Sequence, residues 1–145
     1  MTDDGRFSNV LVAEDDFDIS KTYSEILRMT NCHVTTTQNG EECMEIYRSE
    51  LQWAQSKNDS SNGASPFNVV ILDYKMPGMN GLEVAKEILA LVPHQRIIFA
   101  SGYVEGTIED SIKQLEGNVK VIKKPFKIKM LVDLIKDKES YAIHE

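Results

Sequence analysis

Phe67-Asn68-Val69-Val70-Ile71-Leu72-Asp73 runs directly into Tyr74-Lys75-Met76-Pro77-Gly78-Met79-Asn80-Gly81. Val69 to Leu72 is short, apolar at every position and rich in β-branched residues. An unbroken run of this kind suits a strand covered on both faces, the condition of strands in a parallel sheet. Pro77-Gly78 and Asn80-Gly81 then impose a turn. Asp73 is thereby delivered at the C-terminal end of a buried strand, where open α/β sheets place their chemistry. Taken alone, Asp73 reads equally well as a turn residue, because Asp starts turns readily.

Outward from this stretch, short apolar runs alternate with helical periods in both directions. Toward the N-terminus, Val10-Leu11-Val12-Ala13 ends in Glu14-Asp15-Asp16, a first strand followed by an acidic corner. Ile19, Tyr23, Ile26 and Leu27 recur at helical spacing, with Asp16 or Asp18 available to accept from free amides at the helix start. Cys32 to Thr37 is β-branched and reads as a second strand. Asn39-Gly40 leads into a helix with Cys43, Ile46, Tyr47 and Leu51 on one face. Gln55 to Pro66 has no apolar period and reads as a long surface loop.

Toward the C-terminus, Asn80 and Glu83 have the spacing of a capping box. Leu82, Ala85, Ile88, Leu89 and Val92 form the buried face of that helix, which Pro93 limits. Arg96 to Ser101 reads as a fourth strand, ending in a hydroxyl and Gly102. Ile108, Ile112 and Leu115 mark a fourth helix, closed by Gly117. Val119 to Lys124 is a fifth strand, stopped by Pro125, and Ile128, Leu131, Leu134 and Ile135 supply a last helix running to about Lys138. Five β-α repeats imply a parallel sheet with right-handed crossovers and helices on both faces.

Composition sets the outer bounds. At 145 residues the chain is read as a single domain spanning 1–145, with its core at about 9–138. A net charge of −7 argues against a nucleic-acid surface, which needs a basic face. No apolar stretch approaches the ~20 residues that span a membrane. The first residues, Met1-Thr2-Asp3-Asp4-Gly5-Arg6, lack the pattern of a signal peptide. Cys32 and Cys43 share no metal-like spacing and read as reduced packing residues. His33, His94 and His144 share no spacing either and read as surface residues. The expected location is cytoplasmic.

The strand ends carry the chemistry. Glu14-Asp15-Asp16, Asp73, Ser101 and Lys124 all fall on one edge of a parallel sheet. Crowded carboxylates raise one another's pKa unless a cation intervenes. Mg²⁺ suits oxygen ligands of this kind, held by one or two carboxylates together with water and a phosphate. A carboxylate in that setting can act as nucleophile toward a phosphoryl group, while Lys124 and Ser101 share the charge on its oxygens.

Four motifs in order along the chain give this pattern a family resemblance: Val-Ala-Glu-Asp-Asp at 12–16, Ile-Leu-Asp-Tyr-Lys-Met-Pro-Gly-Met-Asn-Gly at 71–81, Phe-Ala-Ser-Gly at 99–102, and Lys-Lys-Pro-Phe at 123–126. The chain resembles a receiver domain of the two-component response-regulator family, the CheY-like family. The resemblance implies a flavodoxin-like (βα)5 fold, a doubly wound five-stranded parallel sheet of order 2-1-3-4-5. It implies Asp73 as phosphoacceptor, and Mg²⁺ held by Asp15, Asp73, the backbone carbonyl of Lys75 and, through water, Glu14. Ser101 takes the place of the switch hydroxyl. Lys124 takes that of the phosphoryl-binding lysine, in a cis peptide with Pro125. Asp16 is read as a helix cap rather than a ligand, and Lys123 as exposed on the face opposite Lys124.

The implied role is a signalling phosphoacceptor rather than an enzyme, with only slow loss of its own phosphate. Its partners would be a sensor histidine kinase or phosphotransfer protein and an output protein that the sequence does not identify. Direct contact with nucleic acid or membrane is not expected. A stand-alone switch or relay intermediate is the leading reading, and a receiver cut from a larger regulator is its alternative. A Mg²⁺-dependent aspartyl-phosphate phosphatase is a weaker one, since such enzymes carry a second Asp where this chain has Lys75. Oligomeric state is open, a phosphorylation-dependent dimer included.

Two positions depart from the family pattern. Val121 stands where receivers usually carry an aromatic; Tyr103 is a nearby aromatic that could substitute for it, with a plain loop residue as the alternative reading. Gly102 stands where a small residue such as Ala is usual, and is expected to allow close approach to the phosphoryl group.

Overall fold

The computed structural model describes residues 8–57, 65–102, 106–115, 117–124 and 127–136. Strands and helices alternate throughout: β1 (Ser8–Ala13), α1 (Phe17–Arg28), β2 (Cys32–Thr37), α2 (Gly40–Lys57), β3 (Val69–Leu72), α3 (Gly81–Leu91), β4 (Ile97–Ser101), α4 (Gly106–Lys113), β5 (Val119–Lys123) and α5 (Ile128–Lys136). The five strands form one sheet of order β2-β1-β3-β4-β5. Every pairing is parallel, with Ala13 opposite both Thr37 and Leu72, Leu72 opposite Phe99, and Ser101 opposite Lys123. The all-parallel sheet is the one the alternation predicts, and its strand order is that of the flavodoxin-like (βα)5 fold implied by the family resemblance.

The sheet divides two apolar cores, and strand alternation decides which residues enter each. Leu11, Val70, Leu72, Ile97 and Phe99 face one side, where Tyr47 of α2, Ile88 of α3 and Ile112 of α4 close over them. Val10, Val12, Val69, Ile71 and Ile98 face the other, against Tyr23 and Leu27 of α1 and Leu131 and Ile135 of α5. Both faces of β3 are therefore covered, which is why its sequence is apolar without alternation. Cys32 and Cys43 are buried and unpaired, as packing residues. No helix among the described residues is long and apolar enough to cross a membrane.

Several boundaries differ from the sequence reading. β1 begins at Ser8, ahead of its apolar run, because Ser8 N donates to Asn31 O at 3.1 Å. α2 continues to Lys57, so Gln55, Ser56 and Lys57 are helical rather than loop. That last turn is polar, and its sequence carries no apolar period to announce it. Ser56 Oγ is instead satisfied by donating to Trp53 O at 2.9 Å. Residues 58–64 of the expected loop lie outside the described residues. α5 is described to Lys136. In α1 the buried positions are Ser20, Tyr23, Ser24 and Leu27. Small serines there admit the helix close to the sheet, and Ile26 is left half-buried.

Buried and half-buried polar contacts tie the lower edge of the sheet, away from the C-terminal strand ends. Tyr47 Oη donates to Gln95 Oε1 at 2.7 Å, and Gln95 Nε2 donates to Phe67 O at 3.0 Å. Gln95 is completely buried. Arg96 donates to Leu134 O at 2.6 Å and Ile135 O at 3.2 Å, capping the last turn of α5.

Candidate functional site

The C-terminal ends of β1, β3, β4 and β5 meet at one edge. Asp73 follows the last residue of β3, and its amide donates to Ala13 O at 3.1 Å, fixing the end of β3 to the end of β1. Glu14 follows β1, and its amide donates to Thr37 O at 3.0 Å. Thr37 Oγ1 in turn donates to Val12 O at 2.9 Å. The backbone below Glu14 is thus locked to β2 by two bonds, and the side chain has little freedom to leave the site.

Carboxylate oxygens of Glu14, Asp15 and Asp73 all lie within 4.8 Å of one another. Lys124 Nζ donates to Glu14 Oε1 at 2.8 Å and stands 3.5 Å from Asp73 Oδ2. Asp73 Oδ1 accepts from Lys75 N at 3.3 Å. Asp15 is exposed at the mouth, while Glu14 is only 2% exposed. An open depression of about 400 Å³ lies over this edge, lined by Asp15, Tyr74, Lys75 and Asn80 among others.

Charge at the site is unbalanced. Burial, and then the charge of the neighbouring Asp73, push the Glu14 carboxyl up to about 7 against the pull of its Lys124 hydrogen bond. Burial would lower Lys124, but its hydrogen bond to Glu14 and the Asp73 charge more than offset this and hold it above the ordinary lysine value. Among the described residues, the Lys124 ammonium meets Glu14 and Asp73, while a third carboxylate, Asp15, shares the same small space. A hard cation with oxygen ligands fits this donor set: Asp15 offers an exposed carboxylate, Asp73 a largely buried one and Glu14 one deeper still.

Ser101 is the last residue of β4, level with Lys123. Since Leu72 is level with Phe99, the backbone of Ser101 stands one residue beyond the level of Asp73. Asp16 Oδ1 accepts from Ile19 N at 3.1 Å, so this acid caps α1. Lys123 is exposed and Lys124 half-buried, on opposite sides of the strand end. The Lys124–Pro125 peptide and Tyr103 lie outside the described residues. Val121 is 36% exposed. Gly102 is exposed, and a Cβ added there meets no described atom within 4 Å, so crowding does not demand a glycine in this state.

Glycine matters elsewhere around the turn. At Gly81 a Cβ would stand 2.4 Å from Asp73 O. Asn80 and Glu83 form the expected capping box, with Glu83 N donating to Asn80 Oδ1 and Asn80 N to Glu83 Oε1, both at 2.9 Å. Two further residues support the site without a chemical signature in the sequence. Tyr23 lies beneath the acids, and its phenol is raised by burial and then by the charges of Glu14 and Asp73. Thr37 is the other. Both carried signals of packing or strand propensity alone.

Comparison with known proteins agrees with this arrangement. The family profile of the response regulator receiver domain matches residues 10–136. The chain is 28% identical over 126 residues to the response regulator receiver protein CpdR of Brucella abortus, an alignment covering 87% of this chain and 92% of that protein. It is 29% identical over 138 residues to a two-component response regulator of Arabidopsis thaliana, covering 88% of this chain and 62% of that protein. The crystal structure of a CheY-like receiver domain protein from Methanospirillum hungatei superposes with a TM-score of 0.73 at 20% identity, over 96% of this chain and 99% of that one. With the fold, the acidic edge and the profile in agreement, the chain belongs to the response regulator receiver domain family.

Proposed function

We propose that Asp73 is the phosphoacceptor of a Mg²⁺-dependent transfer from the phosphohistidine of a histidine kinase or phosphotransfer protein. The observation that carries this reading is the joint placement of Glu14, Asp15 and Asp73 within 4.8 Å, with Lys124 Nζ 3.5 Å from Asp73. An Asp73 carboxylate oxygen forms the new bond to phosphorus as the P–N bond breaks, and the imidazole leaves with the electron pair and takes up a proton.

Asp15 and Asp73 would hold the cation directly, with Glu14 through water and Lys75 through its backbone carbonyl. When bound, the cation neutralises the carboxylates and the phosphoryl oxygens. Lys124 is already within reach of Asp73 and binds a phosphoryl oxygen once one is present. Ser101, at the end of the adjacent strand, supplies the switch hydroxyl. The added charge then biases two arrangements of the surface built by β4, α4, β5 and α5. The protein acts as a switch or relay intermediate in the cytoplasm, not as an enzyme of independent turnover.

Beryllofluoride with Mg²⁺, a phosphoryl mimic, tests the reading. Amide NMR shifts are expected at Asp73, Ser101 and Lys124 in the parent chain and none in Asp73→Asn. An equal response in Asp73→Asn overturns the proposal.

A further inference from the structure

The turn that carries Asp73 and Lys75 is not held by its own strand alone. Its far end rests on the first turn of α2, an element the chemistry above does not use. Met79 N donates to Glu41 Oε2 at 3.2 Å. Gly40 lies against the same residue, where a Cβ would stand 2.3 Å from Met79 O and 2.8 Å from Met79 Cβ. Gly78 has φ +73° and lies so near Glu41 that a Cβ there would stand 2.7 Å from Glu41 Oε2. The start of α2 thus grips Met79 by its amide and by its carbonyl side.

That grip is itself anchored. Glu42 N donates to Asn39 Oδ1 at 2.7 Å, and Gln38 N donates to Glu42 Oε1 at 2.9 Å, so the helix start is closed by side chains other than Glu41. Glu41 is left to serve the turn. At the other end, Gly81 N donates to Tyr74 O at 2.9 Å while Gly81 packs on Asp73 O. A displacement at Met79 therefore reaches the backbone of Asp73 and Tyr74 through Asn80 and Gly81.

We infer that Glu41 is a positioning residue: it holds the 73–81 turn against α2 so that the Asp73 carboxylate and the Lys75 carbonyl keep the spacing a divalent cation requires. The inference rests on the metal-binding reading of the site. A partner that orients a ligand from outside contact distance tunes affinity without touching the metal.

The test uses the full chain with Glu41→Ala, Glu41→Gln and Glu45→Ala. Mg²⁺ affinity is read from NMR shifts of the Lys75 and Met76 amides, and hydrogen exchange of the Met79 amide is measured in EDTA. Glu41→Ala is expected to speed Met79 exchange and to weaken Mg²⁺ binding roughly threefold to tenfold, the scale of one lost hydrogen bond. The thermal midpoint stays within about 4 °C of the parent. Glu41→Gln keeps an acceptor oxygen and restores both readouts. Glu45→Ala removes the same charge one turn further along and changes neither. Unchanged Mg²⁺ affinity in Glu41→Ala overturns the inference, as does a loss shared equally by Glu41→Gln or Glu45→Ala. A parent chain whose amides do not respond to Mg²⁺ at all overturns the metal-binding reading instead. In that case Met79 exchange still decides whether Glu41 holds the turn.

Discussion

Glu14 is the residue at which stability and function conflict most openly. Its carboxyl is buried beside Asp73, and its pKa is held at about 7 when folded against an ordinary 4.5. The folded chain therefore binds this proton more tightly than the unfolded chain. The contribution to stability is full below about pH 4.5 and is lost as pH rises through about 7. Integrated over that window, the loss is on the order of 3 kcal/mol in metal-free protein. Glu14→Gln is expected to flatten this slope and to make the metal-free chain more stable than the parent at pH 8. Urea unfolding in EDTA across pH 4 to 8 checks it, and parallel curves for the two proteins would contradict the assignment. The same proton explains why cation binding should strengthen as pH rises, since a protonated Glu14 has no negative charge to offer.

Elements were the most legible level of the sequence, for identifiable reasons. β3 could be read from four consecutive apolar residues, and α3 from Asn80 and Glu83 at capping spacing, because both signals are local. The end of α2 could not, since its last turn is polar and carries no apolar period. Contacts between distant positions were equally silent: Lys124 meets Glu14 across 110 residues, Tyr47 meets Gln95 across 48, and Met79 meets Glu41 across 38. The meeting of Glu14, Asp15, Asp73 and Lys124 was legible because strand ends of a parallel sheet converge whatever lies between them. The buried Tyr47–Gln95 bond has a measurable consequence for α2. Tyr47→Phe leaves Gln95 Oε1 without its donor in the core and is expected to cost about 1–3 kcal/mol, with Mg²⁺ binding unchanged. Equilibrium urea unfolding gives the first quantity, and a loss below about 0.5 kcal/mol would show that the bond contributes little.

For the molecule as a whole, the acidic edge is a repulsion held in place by two apolar cores. A cation that binds only the folded arrangement stabilises all of it by mass action. At a hundred times its dissociation constant the gain is about 2.7 kcal/mol. Mg²⁺ is expected to raise the unfolding midpoint by several degrees, EDTA to reverse the shift, and Asp15→Asn to reduce it; scanning calorimetry measures all three. An identical shift in Asp15→Asn would place the ion elsewhere. β5 also bears on how the whole molecule behaves among its copies. It is an outer strand of the sheet, and the outer edge of a sheet is a template on which further chains can polymerise. Lys120 and Lys123 punctuate that strand. Two copies approaching edge to edge would bring like charges together, so the strand that leads to Lys124 also guards the protein against fibrous growth.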